Sequence, residues 1–140
     1  MARLTPELHI VLALLKDEPV DSLQGVNDAT LIECIARHRL FPIAEPLLGL
    51  MDDPGRSELK QRMQTWFIKS LHLASVLSEI FGEFSNSDIE ALGLKGPVLA
   101  KSLYGKVDGR SFSDLDILIR PEDIWRSVET LEKLGFSVCY

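Results

Sequence analysis

At 140 residues, with 46% of them hydrophobic and 26% charged, the chain has one domain's length and an ordinary globular make-up, which excludes a fibre or a disordered polymer. Its 15 Lys and Arg stand against 21 Asp and Glu, and the resulting net charge of -6 offers no overall attraction for long nucleic acid. Cys34 and Cys139 show no Cys-x-x-Cys spacing, the start has no signal-peptide layout, and the apolar run at residues 10–15 is too short to span a bilayer, so a disulfide scaffold, a zinc site and a membrane anchor are not indicated and a reducing cytoplasm fits.

Thr5 and Pro6 read as an N-cap and first helical position, with Leu8, Val11, Leu12 and Leu15 at helical spacing before Asp17-Glu18-Pro19 stops the segment. A second helix is expected after the polar stretch 21–27, capped by Asn27 or Asp28 and buried through Leu31, Ile32, Ile35 and Ala36. Pro42 and Pro46 punctuate the next stretch, a short helical connector. Met51-Asp52-Asp53-Pro54-Gly55 reads as a turn, after which Ser57 caps a long helix. Its apolar residues, among them Leu59, Met63, Trp66, Leu77, Ile80 and Phe84, keep a 3.6-residue period over roughly 40 Å at 1.5 Å per residue. They predict a core face. His9, His38 and His72 are scattered singly and read as structural or surface residues.

The period changes after Ser85-Asn86-Ser87-Asp88. Residues 89–94 read as a short strand, 97–104 as a helix with Pro97 in its first turn, and 105–113 as a polar loop. A strand is expected over 114–119 and a helix over 121–134, ended by Gly135, with a further strand at 136–140. The fold class is therefore α+β, a helical lead-in at 1–84 followed by a partial mixed sheet flanked by helices at 85–140.

Two features in the second half can carry chemistry. Alternation along a strand puts Asp114 and Asp116 on one face and Leu115, Ile117 and Ile119 on the other, so two carboxylates sit side by side as a divalent-metal platform. Lys95-Gly96-Pro97 stands where a strand hands over to a helix, a place where glycine lets a phosphate approach the backbone and first-turn amides of Val98 and Leu99 point outward. Lys95, Lys101, Lys106 and Arg110 make this stretch locally basic within an acidic chain, as a metal-triphosphate site requires. The same residues also suit a solvated strand face beside a lysine-decorated helix, with Arg110 pairing Asp114.

Taken together, Leu94-Lys95-Gly96-Pro97-Val98-Leu99-Ala100, Arg110, Asp114-Leu115-Asp116-Ile117-Leu118-Ile119, Pro121-Glu122-Asp123 and Leu131-Glu132-Lys133-Leu134-Gly135-Phe136 resemble the uncharacterised nucleotidyltransferase family of the DNA polymerase beta superfamily. The resemblance is best over 86–140, and Ala36-Arg37-His38-Arg39-Leu40-Phe41-Pro42 is similar to the helical lead-in of that family. It implies Asp114 and Asp116 as catalytic ligands of Mg²⁺ or Mn²⁺, Gly96 in the phosphate-approaching loop, and Lys95 and Arg110 as triphosphate contacts. The implied reaction moves a nucleoside monophosphate from an NTP, ATP first, to an unknown small-molecule or protein acceptor. The superfamily takes a third carboxylate from a later strand, for which these residues offer no counterpart. This leaves a fragment of a longer enzyme, or a shortened relative that binds without catalysing, a non-catalytic nucleotide-binding or protein-interaction module on the same fold, with residues 136–140 as an edge strand open to self-association.

Overall fold

The computed structural model of the chain describes residues 4–139. The Thr5 hydroxyl accepts the Leu8 N–H at 3.4 Å and Pro6 needs no partner for its nitrogen, so the first helix, α1, runs Pro6–Leu15. Asn27 does the same work for α2, Asp28–Arg37, its Oδ1 accepting the Thr30 N–H at 3.0 Å. Pro42 and Pro46 each stand second in a short 3₁₀ helix, Phe41–Ile43 and Glu45–Gly49, which bring the chain round to α3, Asp53–Asn86.

Helix α3 corrects one expectation. Asp53-Pro54-Gly55 is its first turn, whereas the sequence suggested a loop ending at a Ser57 cap. The Arg56 N–H already reaches the Asp52 carbonyl at 2.8 Å, and the Arg56 guanidinium holds the carbonyls of Leu48 at 2.8 Å and Met51 at 2.7 Å. Gly55 is needed here for space, because a Cβ would lie 2.1 Å from Asp28 Oδ2 and 2.9 Å from Asp28 Cβ.

Two compact units divide the chain between Ile68 and Lys69, and α3 is continuous through that point. In the first unit, Val11 and Leu14 of α1, Leu31, Ile32 and Ile35 of α2, Ala44, Leu47 and Met51 of the 3₁₀ connector, and Leu59 of α3 form one buried core. A polar tie runs beside it: Glu7 Oε1 on α1 accepts the Asn27 N–H at 3.1 Å. That hydrogen bond, made to the ionised carboxylate, holds Glu7 below the usual 4.5 of a glutamate. A lowered acid contributes stability in full above its unfolded pKa and loses it as pH falls through the folded value. Glu7→Gln is therefore expected to unfold at lower urea than wild type at pH 7, with the gap closing as pH falls from about 4.5. A gap of equal size at pH 3 would show that the carboxylate charge plays no part.

In the second unit, Ile80 and Phe84 on α3 and Ile89 after it form a buried nucleus against which Phe81, Ala91, Leu115, Ile117, Ile119, Leu131 and Leu134 pack. Strand β1, Ala91–Gly93, pairs antiparallel with β2, Ile117–Ile119, in the register Ala91 to Ile119, Leu92 to Leu118 and Gly93 to Ile117. Helix α4, Gly96–Tyr104, closes on Gly105 in the left-handed region, φ 72°. A 3₁₀ turn at Pro121–Asp123 leads into α5, Ile124–Lys133, and Gly135, φ 91°, ends it with the Phe136 N–H returning to the Leu131 carbonyl at 3.0 Å.

The α+β class stands, as helices with a small sheet. Four boundaries differ from expectation, the first being the strand expected over 89–94, which is laddered only at Ala91–Gly93. The strand expected over 114–119 is paired only at Ile117–Ile119, because its partner β1 stops at Gly93 and the chain then turns into α4. The helix expected over 121–134 opens with the 3₁₀ turn. The strand expected at 136–140 joins no ladder over 136–139, so the edge proposed there for self-association is not formed among the described residues, and Tyr140 lies outside them. Among the described residues no helix is long and apolar enough to cross a membrane.

Candidate functional site

Pairing of β1 with β2 sorts the side chains of the second unit into two faces. Ala91, Leu115, Ile117 and Ile119 pack on the Ile80, Phe84 and Ile89 nucleus. Alternation then assigns Glu90, Leu92 and Leu94 on one strand, and Asp116, Leu118 and Arg120 on the other, to the opposite face. The alternation expected from the sequence does not extend to Asp114, because Ser113 and Asp114 form a bend before the extended segment begins.

Along this outer face the register makes a sequence of cross-strand neighbours. Glu90 and Arg120 form an ion pair at one end. Leu92 lies opposite Leu118, and both are more than half exposed, at 58% and 53%. At the other end Leu94 meets Asp116, its N–H donating to the Asp116 carbonyl at 3.0 Å, one residue past the ladder. That bond fixes the backbone at Asp116.

The chain then bends sharply. Lys95 is extended, φ -139° and ψ -150°, and Gly96 is left-handed, φ 57°, a conformation in which an L side chain is strained. Gly96 is buried against the carboxylate loop: a Cβ on it would lie 3.4 Å from the Asp114 carbonyl oxygen, 3.8 Å from Phe112 Cδ2 and 3.9 Å from Leu115 Cδ2. Phe112, only 7% exposed, anchors that loop from below. Sequence reasoning did not single it out, although a lone phenylalanine in the polar stretch 105–113 was the available signal.

Lys95, Gly96, Asp114 and Asp116 are thus brought together. Lys95 Nζ lies 3.3 Å from Asp116 Oδ2 with both side chains partly in solvent, and Asp114 is exposed. Arg110 is half-buried in the loop and makes no ion pair with Asp114, which removes the pairing considered from the sequence. Lys101 is committed elsewhere, its ammonium donating to the Gly105 carbonyl at 2.7 Å and so closing the end of its own helix. No side chain caps the first turn of α4. Its amides and the positive end of the helix dipole lie beside the carboxylate loop.

Two carboxylates are hard oxygen donors of the kind Mg²⁺ takes, and that ion keeps several of its positions for water and substrate oxygens, so a pair suffices to fit it. Among the described residues no group of three or more His, Cys, Asp and Glu comes together as a ready-made cage.

Neither a curated protein nor a solved structure matches the chain. A family model does, over residues 24–140, which takes in α2, α3 and the whole of the carboxylate loop and its sheet. The chain belongs to the uncharacterised nucleotidyltransferase family.

Proposed function

We propose that the chain binds a nucleoside triphosphate with a divalent ion, Mg²⁺ or Mn²⁺, at Asp114 and Asp116, as the nucleotide site of a nucleotidyltransferase whose core is residues 85–140 and whose helical lead-in is 1–84. The observation that supports this reading is the closeness of the Asp114 and Asp116 main chain to the start of α4, through the Leu94–Asp116 hydrogen bond and the approach of Gly96 to the Asp114 carbonyl. In the reaction an acceptor oxygen bonds to the α-phosphorus as the bond to the bridging oxygen of the β-phosphate breaks, and pyrophosphate leaves. The divalent ion, when bound, offsets the phosphate charge and orients the reacting oxygens.

The chain's own residues divide the remaining work. Asp114 and Asp116 supply the ligating oxygens, the α4 amides donate hydrogen bonds to phosphate oxygens, and Lys95 and Arg110 offset the triphosphate charge. The acceptor is a hydroxyl or phosphate of a small molecule or protein, since a net charge of -6 disfavours a long polyanion. Because no third acid joins the pair among the described residues, a nucleotide-binding module without turnover is the second reading on the same site.

Both readings are tested by binding. ATP, GTP, CTP and UTP are titrated calorimetrically into wild type and into the Asp114→Asn, Asp116→Asn double variant, with and without Mg²⁺. The expected result is Mg²⁺-dependent binding that weakens at least about tenfold, or ~1.4 kcal/mol, in the double variant. Equal binding in the two proteins, or none in wild type, rejects the site. Given binding, release of pyrophosphate with an acceptor library separates the enzyme from the module.

A further inference from the structure

We propose that Lys95 is an exchangeable counter-ion of Asp116, displaced when a divalent ion binds the carboxylate pair and then free to engage the incoming phosphates. This rests on the metal-nucleotide reading above and deepens it. Lys95 reaches Asp116 because the backbone puts it there: Leu94 is tied to Asp116 through the main chain, Lys95 is the next residue, and the left-handed Gly96 prevents the strand from continuing away. The 3.3 Å pair is thus a product of register, set by the same elements that build the site.

The outer face carries two ion pairs of different kind. Glu90–Arg120 closes one end with a guanidinium, a planar group suited to a lasting pair with carboxylate, whereas Asp116 has an ammonium on a flexible four-carbon stem, a compact charge with freely turning donors. Leu92 and Leu118 separate the two. With its side chains 65% and 40% exposed, the Lys95–Asp116 pair is weak enough for a doubly charged ion to displace. Asp114 and Asp116 are like charges one residue apart, and a single lysine paired to one of them leaves the two with net negative charge to attract that ion.

A counter-ion of this kind acts with opposite sign on two ligands. It competes with a bare metal ion and assists a metal-bound polyphosphate. The experiment uses the intact chain and reads Mn²⁺ directly, by the electron paramagnetic resonance of the free ion, in the absence of nucleotide. Lys95→Met is expected to bind Mn²⁺ about two- to fivefold more tightly than wild type. The same variant is expected to bind ATP in saturating Mn²⁺ about tenfold more weakly. Arg120→Met, at the other end of the face, should leave the Mn²⁺ affinity unchanged.

Equal or weaker Mn²⁺ binding by Lys95→Met overturns the counter-ion, while loss of Mn²⁺ from the Asp114→Asn, Asp116→Asn variant in the same series keeps the carboxylate site. No Mn²⁺ binding by wild type overturns both. Lys95→Arg guards against a folding artefact: it keeps the charge in a less mobile group, and Mn²⁺ affinity at or below that of wild type is expected, whereas tightening to the level of Lys95→Met would overturn the proposal.

Discussion

Phe84→Ala is expected to cost about 3–5 kcal/mol, the range for removing a buried aromatic side chain from a core that relaxes only in part. Phe84 is 2% exposed and, with Ile80 and Ile89, forms the floor on which the inner side chains of β1, β2 and the end of α5 rest. A two-stranded sheet is marginal without such backing, so the loss falls first on the elements that carry the carboxylates. Set against the roughly 5–15 kcal/mol that holds a typical domain folded, the change is large. Urea unfolding followed by circular dichroism measures it. Phe84→Leu, which keeps most of the volume, should lose well under half as much, and a midpoint for Phe84→Ala within error of wild type would show that this nucleus does not support the sheet.

Gly96→Val should cost on the order of 1–3 kcal/mol, the penalty of holding a side chain in a sparsely populated backbone region. The branch at Cβ makes valine especially unsuited to φ 57°, and the added atom points at the Asp114 carbonyl 3.4 Å away. Relief by turning Gly96 out of the left-handed region would move Lys95 and the start of α4 relative to the 112–116 loop. Nucleotide binding should therefore fall more than the loss of stability alone explains. Gly96→Ala, without the branch, is expected to lie between. Stability from urea unfolding and affinity from calorimetry, compared on one set of proteins, check this; full nucleotide affinity in a folded Gly96→Val protein would remove the bend from the site.

The residues show why some of this architecture was legible in advance. Thr5-Pro6 and Asn27 carry helix-start chemistry within a few residues of the turn they cap, and both open helices where expected. Asp52-Asp53-Pro54-Gly55 reads as a turn because a β-turn and a helix N-terminus use the same residues; glycine stands at position 55 to leave space for Asp28, far away in sequence, and not to make a turn. Strand lengths depend on partners in the same way. Asp114 and Leu115 have strand-like alternation in the sequence but no ladder, since β1 ends at Gly93. Residues 136–139 are apolar enough for a strand and lack a neighbour among the described residues.

For the candidate site, the pairing of residue types was visible and their connections were not. Asp-x-Asp and Lys-Gly-Pro could be read directly, and their spacing carried the family resemblance that the match over residues 24–140 supports. The ion pair between Lys95 and Asp116 arises from cross-strand register, a relation between segments some twenty residues apart that no local pattern encodes. Lys101, read as part of a basic loop, is spent on its own helix end because the reversal at Gly105 turns a carbonyl toward it.

The hydrogen bond from Leu94 to the Asp116 carbonyl has a consequence for timing as well as for placement. It lies just beyond the last laddered pair, where a sheet frays before it melts, so its amide proton is expected to exchange with solvent through local opening of the carboxylate segment. Where closing outpaces exchange, the protection of that one proton measures the fraction of molecules in which the bond is open, and so the fraction that meets a ligand with the frame intact.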